Sequence, residues 1–384
     1  MKELIYLDNN ATTPMDPRVL EAMMPFLKNQ YANAASNHGF GVEANQAVKQ
    51  ARADIAQLIG SDDNEIIFTS GATEAVNLAI KGVAEKYQDK GKHIITVTTE
   101  HPAVLDSCSY LERQGFEVTY LSVEPSGIID LHQLKSEIRQ DTILVSVMMV
   151  NNETGIIQPI ERIAQIAHEA GAFFMTDATQ AIGKTPVNVR TMDIDLMAFS
   201  GHKFYGPKGV GALFVRSKRP FKVKLEALVH GGGHERTMRS GTLNVPGIVG
   251  LGKAATLSMA QMNSDCERIS MLRNRLEEEL LKIPDSQING IREHRLYNVS
   301  NVRLKNADAD AVMAGLKNIA MSNGSACSST KVEPSHVLMA MGLSTQDAYS
   351  SLRISLGRFS TEQDIEGLLR QLVPLIEELR AMTH

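Results

Sequence analysis

The chain has no tryptophan and only three cysteines in 384 residues, and its apolar runs are short. Cys108, Cys266 and Cys327 are too few and too scattered for a disulfide framework, which points to a reducing compartment. The apolar stretch from Thr142 to Val150 is far below the roughly 20 residues that a membrane span needs. The opening residues, MKELIYLDNN, carry Glu3 and Asp8 and no apolar core, so a secretory signal is not expected. An excess of positive charge is also missing. Lys and Arg total 39 against 44 for Asp and Glu, a net charge of −5. Nucleic acid and acidic membrane surfaces both need concentrated positive charge, so neither is the expected main partner. Repeats, low-complexity tracts and blocks of like charge are absent. What remains is 43% apolar and 22% charged, the profile of a cytoplasmic globular protein. At roughly 150 residues per domain, its length predicts two or three domains.

From about residue 60 to 215, β-rich runs alternate with amphipathic helical patterns. Strands are expected at 65–69, 93–97, 116–121, 142–150, 172–177, 195–200 and 209–215. This alternation predicts an α/β fold with a mostly parallel sheet covered on both faces. Its ligand then sits outside the carboxyl ends of the strands. Residues 245–283 read as one long helix or two, followed by a smaller α+β region with strands near 296–304 and 352–356 and a final helix over 361–381. Asp16-Pro17 starts an early helix, Asp as its N-cap and Pro at its first position.

Polar groups at four strand ends fit together. Thr69-Ser70-Gly71-Ala72-Thr73-Glu74 is a strand running into a small turn and then a helix, a shape that cradles phosphate on free N–H groups, although such turns are often only structural. Asp177 closes the strand FFMTD, where it could equally N-cap a helix. Lys203 lies in Ser200-Gly201-His202-Lys203 at the end of the next strand, and burial there would lower its pKa for attack on a carbonyl. Asp177 and Lys203 end successive strands. Together with the phosphate turn they are what pyridoxal phosphate requires: an amine for the aldehyde, an acid for the ring nitrogen and a cradle for the phosphate. His101, after the strand HIITV, could stack on a planar ring or move protons. Asn151 and Asn152 add amides at the same edge. Cys327 sits in Asn323-Gly324-Ser325-Ala326-Cys327-Ser328-Ser329, too small and polar to bury a thiol, and so reads as a nucleophile. Cys108 and Cys266 read as buried and inert. Arg353 offers a two-pronged contact for a carboxylate. His230-Gly231-Gly232-Gly233-His234-Glu235 lacks the helical geometry of a zinc site, and no metal is expected. Met148, Met149, Met321, Met339 and Met341 read as core filler.

The chain resembles the cysteine desulfurases of the NifS/IscS type, within the class V aminotransferases. The resemblance rests on YLDNNATTP (6–14), FTSGATEAVN (68–77), TEHPAVL (99–105), VNNETGIIQPI (150–160), DATQAIGK (177–184), SGHKFYGPKGVGAL (200–213), HGGGHERTMRSGTLNVPGIVG (230–250), SNGSACSS (322–329) and SLRISLGRF (351–359). These segments run in family order through nearly the whole chain. The resemblance implies pyridoxal phosphate fold type I, with a seven-stranded large domain at 15–258 and a small domain from 1–14 and 259–384. It assigns Lys203 to the cofactor aldehyde, Asp177 to the ring nitrogen, Gln180 to the phenolic oxygen and His101 to the ring face. Ala72, Thr73, Ser200 and His202 hold the phosphate, and Thr242 reaches the phosphate of a partner subunit in a homodimer. Asn152, beside the cofactor, and Arg353 hold the substrate carboxylate. The implied reaction turns L-cysteine into L-alanine and leaves a persulfide on Cys327 for an acceptor such as an iron–sulfur scaffold or a tRNA- or DNA-thiolation enzyme. Lys203 is the implied base, with His101 assisting.

Two departures stand out. YANAASNHG (31–39) replaces the usual Gly-Asn-Pro-Ser run, and the chain ends at His384 without the longer tail with which IscS-type members contact their scaffold. The small-residue run before EPSHVL (333–338) resembles the long-loop group. A selenocysteine or other C–S lyase of the same fold, and a catalytically silent sulfur-relay subunit, are the alternative readings. The intact Lys203, Asp177 and Cys327 oppose the second.

Overall fold

The computed structural model describes residues 4–323 and 333–382. Twelve strands run through it: β1 (Ile5–Tyr6), β2 (Ile66–Thr69), β3 (His93–Val97), β4 (Glu117–Leu121), β5 (Thr142–Ser146), β6 (Phe173–Asp177), β7 (Leu196–Ser200), β8 (Gly211–Val215), β9 (Ser286–Ile288), β10 (Val299–Leu304), β11 (Ile319–Ala320) and β12 (Ser351–Ser355). β2 to β8 form one seven-stranded sheet in the order β2-β8-β7-β6-β5-β3-β4. Only β8 runs antiparallel to its neighbours. Helices cover both faces, so the inner strands are buried throughout, as parallel strands must be. Alternate residues feed two cores. Ile66, Phe68, Phe174, Met197 and Phe199 pack on one side, and Ile67, Phe173, Met175, Leu196 and Ala198 on the other.

The sheet positions the site by its order. The chain moves outward from β3 to β4, then returns to place β5 on the other side of β3, leaving a crevice at their carboxyl ends. His101 follows β3 and Asn152 follows β5, and both line that crevice, whereas the buried Asn151 amide donates to Thr99 O at 3.1 Å instead. The smaller sheet, β12-β10-β9, is antiparallel and carries Arg353 on β12. The segment after β1 stitches the two sheets together. Asn9 N–H donates to Ser355 O at 3.1 Å, and Thr13 N–H donates to His202 O at 2.9 Å, beside Lys203.

The expected strands lie within two residues of the observed ones, apart from the one near 296–304, where β10 begins at Val299, and 142–150, where β5 ends at Ser146. The Met148 N–H donates to the buried Glu100 carboxylate instead of to β3, which interrupts the pairing on that side, while Val147 and Met149 N–H still donate to Met175 O and Asp177 O of β6. Residues 245–283 contain one helix, Val245–Leu280, 36 residues long. Asp16 caps the helix Pro17–Lys28 as expected, accepting from Arg18 N–H at 3.0 Å. Cys108 is buried, while Cys266 is only partly so. Met339 is exposed rather than core, because it falls on the outward side of the short helix His336–Ala340 whose Val337 and Leu338 turn inward.

Candidate active site

A cavity of about 550 Å³ opens at the carboxyl ends of the large sheet. Ala72, Thr73, His101, Asn152, Asp177, Gln180, Ser200, His202, Lys203 and Arg353 all line it. Cys327 lies outside the described residues. Thr242 is exposed and stands apart from the cavity on this chain.

Each side chain is placed by the way its element ends. Lys203 closes the turn Gly201–Lys203 after β7, and its Nζ donates to Asn10 O at 2.8 Å and Ala11 O at 2.7 Å. Asp177 is the last residue of β6, on the adjoining strand, with Oδ1 accepting from Thr179 N–H at 2.9 Å. His101 is the N-cap of the helix Pro102–Glu112. Its Nδ1 accepts from Ala103 N–H at 3.1 Å, which leaves the proton of the neutral ring on Nε2. Burial pushes His101 below its ordinary pKa; Asp177 works against that shift and Lys203 adds to it. His202 is driven down to about 4 by burial, reinforced by Lys203, Lys208 and Lys184, so it is neutral at pH 7.

The helix Ala72–Tyr87 points its N-terminus into the same cavity. Gly71 is its N-cap, at φ +156°, and no side chain caps the first turn, so the leading amides remain for an anion. The approach of β8 is tight here: a Cβ on Gly211 would lie 2.8 Å from Gly71 Cα. Glu74 would repel an anion, but Arg239 holds it at 2.7 Å and Ser70 N–H donates to it at 2.7 Å. On the opposite wall, Arg353 Nη2 meets Asp8 Oδ1 at 2.8 Å and Nη1 donates to Asn152 O at 3.1 Å. Its buried Nε has no hydrogen-bond partner, and neither has Thr179 Oγ1. Both residues line the cavity, where a bound ligand can satisfy such atoms.

The residues therefore fit pyridoxal phosphate. An amine and a carboxylate stand at adjoining strand ends, an uncapped helix faces the phosphate position, and two buried polar atoms lack partners. Local sequence gave no role to Asn10, Ala11, Thr179, Glu100 or Lys184, all of which build or support the cavity. Thr179 could have been found from its place two residues beyond Asp177. Asn10 could not, because its contact with Lys203 spans 193 residues.

Comparison with known proteins agrees with this geometry. The chain matches the aminotransferase class-V family over residues 5–368. It is 52% identical over 385 residues to the cysteine desulfurase IscS of Anaeromyxobacter sp. (strain K), covering all of this chain and 95% of that one. It is 51% identical over 390 residues to the IscS of Escherichia coli O139:H28, covering 98% and 96%. Among solved structures, a NifS-like protein superposes with a TM-score of 0.90 at 37% identity, covering 98% of this chain and 99% of that one. A structure described as SspA in complex with cysteine superposes with a TM-score of 0.81 at 40% identity, covering 93% and 99%. Enzymes of this family work with pyridoxal phosphate. Identity of this extent over the full chain, with a family match over residues 5–368, places the chain in the class-V aminotransferase family as one of its cysteine desulfurases.

Proposed function

We propose that the cavity binds pyridoxal phosphate and L-cysteine and passes the sulfur of cysteine to Cys327. The observation that carries this reading is the meeting of Lys203, Asp177 and the uncapped helix at Ala72 in one cavity. Lys203 would hold the aldehyde, Asp177 the ring nitrogen, Gln180 the phenolic oxygen and His101 the ring face. Ala72, Thr73, Ser200 and His202 would hold the phosphate. When bound, the group supplies an electron sink that eases loss of the Cα proton from an amino acid.

The residues of the chain do the rest. Arg353, aided by Asn152, binds the substrate carboxylate and fixes which Cα bond faces Lys203. The Lys203 amine takes the Cα proton. Neutral His101 can donate from Nε2 without adding a positive charge beside Lys203. Cys327 acts as the nucleophile: its sulfur forms an S–S bond as the C–S bond of the substrate breaks. One cysteine and one thiol give one alanine and one persulfide, so no outside oxidant is needed.

The enzyme is read as a homodimer in which Thr242 of each subunit completes the other's phosphate site. The cofactor domain is assigned to 15–258 and the small domain to 1–14 with 259–384. The persulfide goes on to an acceptor protein, such as an iron–sulfur scaffold or a thiolation enzyme, in the cytoplasm. Among the described residues no helix is long and apolar enough to cross a membrane.

The test is an assay of alanine and sulfide from L-cysteine with a reductant, on wild type and Cys327→Ser. The expected result is that Cys327→Ser keeps the yellow colour of the bound cofactor and loses at least about 99% of the activity. Equal activity in both proteins would transfer the assignment to a C–S lyase that does not use Cys327. A colourless wild type that cannot be reconstituted would remove the cofactor assignment.

A further inference from the structure

We infer that Lys184, which no step above uses, is a positioning residue that locks the Gln180 amide so that a donor N–H faces the cavity. The inference rests on the reading of Gln180 as the partner of the cofactor's phenolic oxygen, and it says what makes Gln180 a donor there.

Lys184 is buried, at 2% exposure, in the turn that follows β6. Gly183 makes that turn possible: it adopts φ +71°, and a Cβ there would lie 2.8 Å from both Phe204 Cβ and Ser258 Oγ. The reversal returns Lys184 beneath Gln180, and Lys184 Nζ donates to Gln180 Oε1 at 2.7 Å. On its other side, Gln180 Nε2 donates to Asn10 O at 2.8 Å. The two ends of an amide have nearly the same shape, so their neighbours decide which way round it sits. A backbone carbonyl only accepts. A lysine ammonium only donates, and the neutral amine donates as well. Only one orientation satisfies both neighbours, with Oε1 toward Lys184 and Nε2 toward Asn10.

That orientation matters because Gln180 lines the cavity. Nε2 carries two N–H groups and Asn10 O takes one. The other belongs to the end of the amide that cannot be exchanged for oxygen while Lys184 is present. A reversed amide would present oxygen where the phenolic oxygen is expected, and two acceptors would face each other. Burial, with Lys203 and Arg353 as neighbouring cations, lowers Lys184 to about pKa 7. Below that pH the ammonium only donates and fixes Oε1 on its side; above it the neutral amine can also accept, and the Asn10 carbonyl keeps Nε2 in place.

The consequence is spectroscopic. A donor to the phenolic oxygen favours its anionic form and lowers the pH midpoint of the holoenzyme's visible band. The experiment is a pH titration of that band in reconstituted wild type, Lys184→Met, Gln180→Leu and the double variant, with circular dichroism to confirm folding. Lys184→Met is expected to keep its colour and raise the midpoint by about one pH unit, the size of one lost hydrogen bond to a charged group. Gln180→Leu should move it the same way, and the double variant no further than Gln180→Leu alone. An unchanged midpoint in Lys184→Met overturns the inference. So do additive shifts, which would make Lys184 a distant charge rather than a lock. No shift in Gln180→Leu would instead remove the reading of Gln180 itself. A second measurement needs no variant at position 184: the Gln180 side-chain NH₂ resonances of ¹⁵N-labelled holoenzyme, assigned by their loss in Gln180→Leu. Slow exchange of these protons with solvent is expected, and exchange as fast as that of an exposed side-chain amide would overturn the lock.

Discussion

At the amino ends of β6 and β7, His168 is engaged on both ring nitrogens, Nδ1 with Asp193 at 2.8 Å and Nε2 with Asp195 at 2.7 Å. Arg216 reaches Asp193 at 2.7 Å, and the imidazole stacks on Phe221 with centroids 3.8 Å apart. At the carboxyl ends of the same sheet Arg353 pairs with Asp8 at 2.8 Å and Arg239 with Glu74 at 2.7 Å, but the balance between burial and charge is different. Burial lowers His168 too, but Asp195 and Asp193 outweigh it and the net shift is upward, toward the charged form. Buried Asp195 is itself pushed up, yet two carboxylates facing one imidazole leave the proton on His168. At the other end burial wins almost everywhere: His101 and His202 move down, Lys184 falls to about 7 and Glu100 rises well above its ordinary range. One end of the sheet completes its ion pairs within the chain. The other holds its titratable groups near neutrality, ready for the charges that a ligand brings.

The comparison predicts that the two ends fail differently. Asp195→Ala should be the costliest change for folding, because it leaves His168 and Arg216 facing one fewer carboxylate in a buried place. The expected loss is about 3–5 kcal/mol by chemical denaturation, with turnover per folded molecule unchanged. A loss below about 1 kcal/mol would mean that the amino-end cluster is ornamental. Asp177→Asn should do the reverse. The unfolding midpoint of the apoprotein should stay within about 0.5 kcal/mol of wild type. Alanine formation by the holoenzyme should fall by about 10²–10³-fold, the usual cost of removing one aligned electrostatic partner. Equal stability losses at the two ends would erase the distinction between them.

Much of this division could be read from the sequence. Runs such as HIITV and FFMTD announce strands by their β-branched and aromatic residues, and a parallel sheet dictates that chemistry follows them. Asp177, Lys203 and His101 were legible because each stands at a strand end. The supports were not, since their meaning lies in contacts across the chain. Glu153 and Ser335 are 182 residues apart, and Asn10 meets Lys203 across 193. Lys184, in Gly-Lys-Thr-Pro, looks like any solvated turn lysine until the fold buries it. The helix from Val245 was ambiguous for a local reason: three glycines in its first two turns lower the helix propensity that packing then overrides.

The smallest expected effect tests the neutral end most directly, because it carries a sign. Glu153 is buried beside Asn152, which lines the cavity, and its Oε2 accepts from the Ser335 hydroxyl. Burial raises its pKa to about 7; the Ser335 hydrogen bond and Arg353 oppose the shift without cancelling it. A carboxyl that titrates higher folded than unfolded binds extra protons in the folded state. Stability therefore falls as pH rises from the ordinary carboxyl range, near 4.5, through about 7. Glu153→Gln keeps an oxygen for Ser335 and removes the titration. Relative to wild type, it should gain about 2 kcal/mol between pH 5 and pH 8.5, a value discounted from the full shift. The measurement is the difference in unfolding free energy between the two proteins across that range. A flat difference would mean that Glu153 stays ionised in the folded protein. Arg353, already paired with Asp8, would then face a second carboxylate of its own chain, and the carboxyl end would resemble the amino end after all.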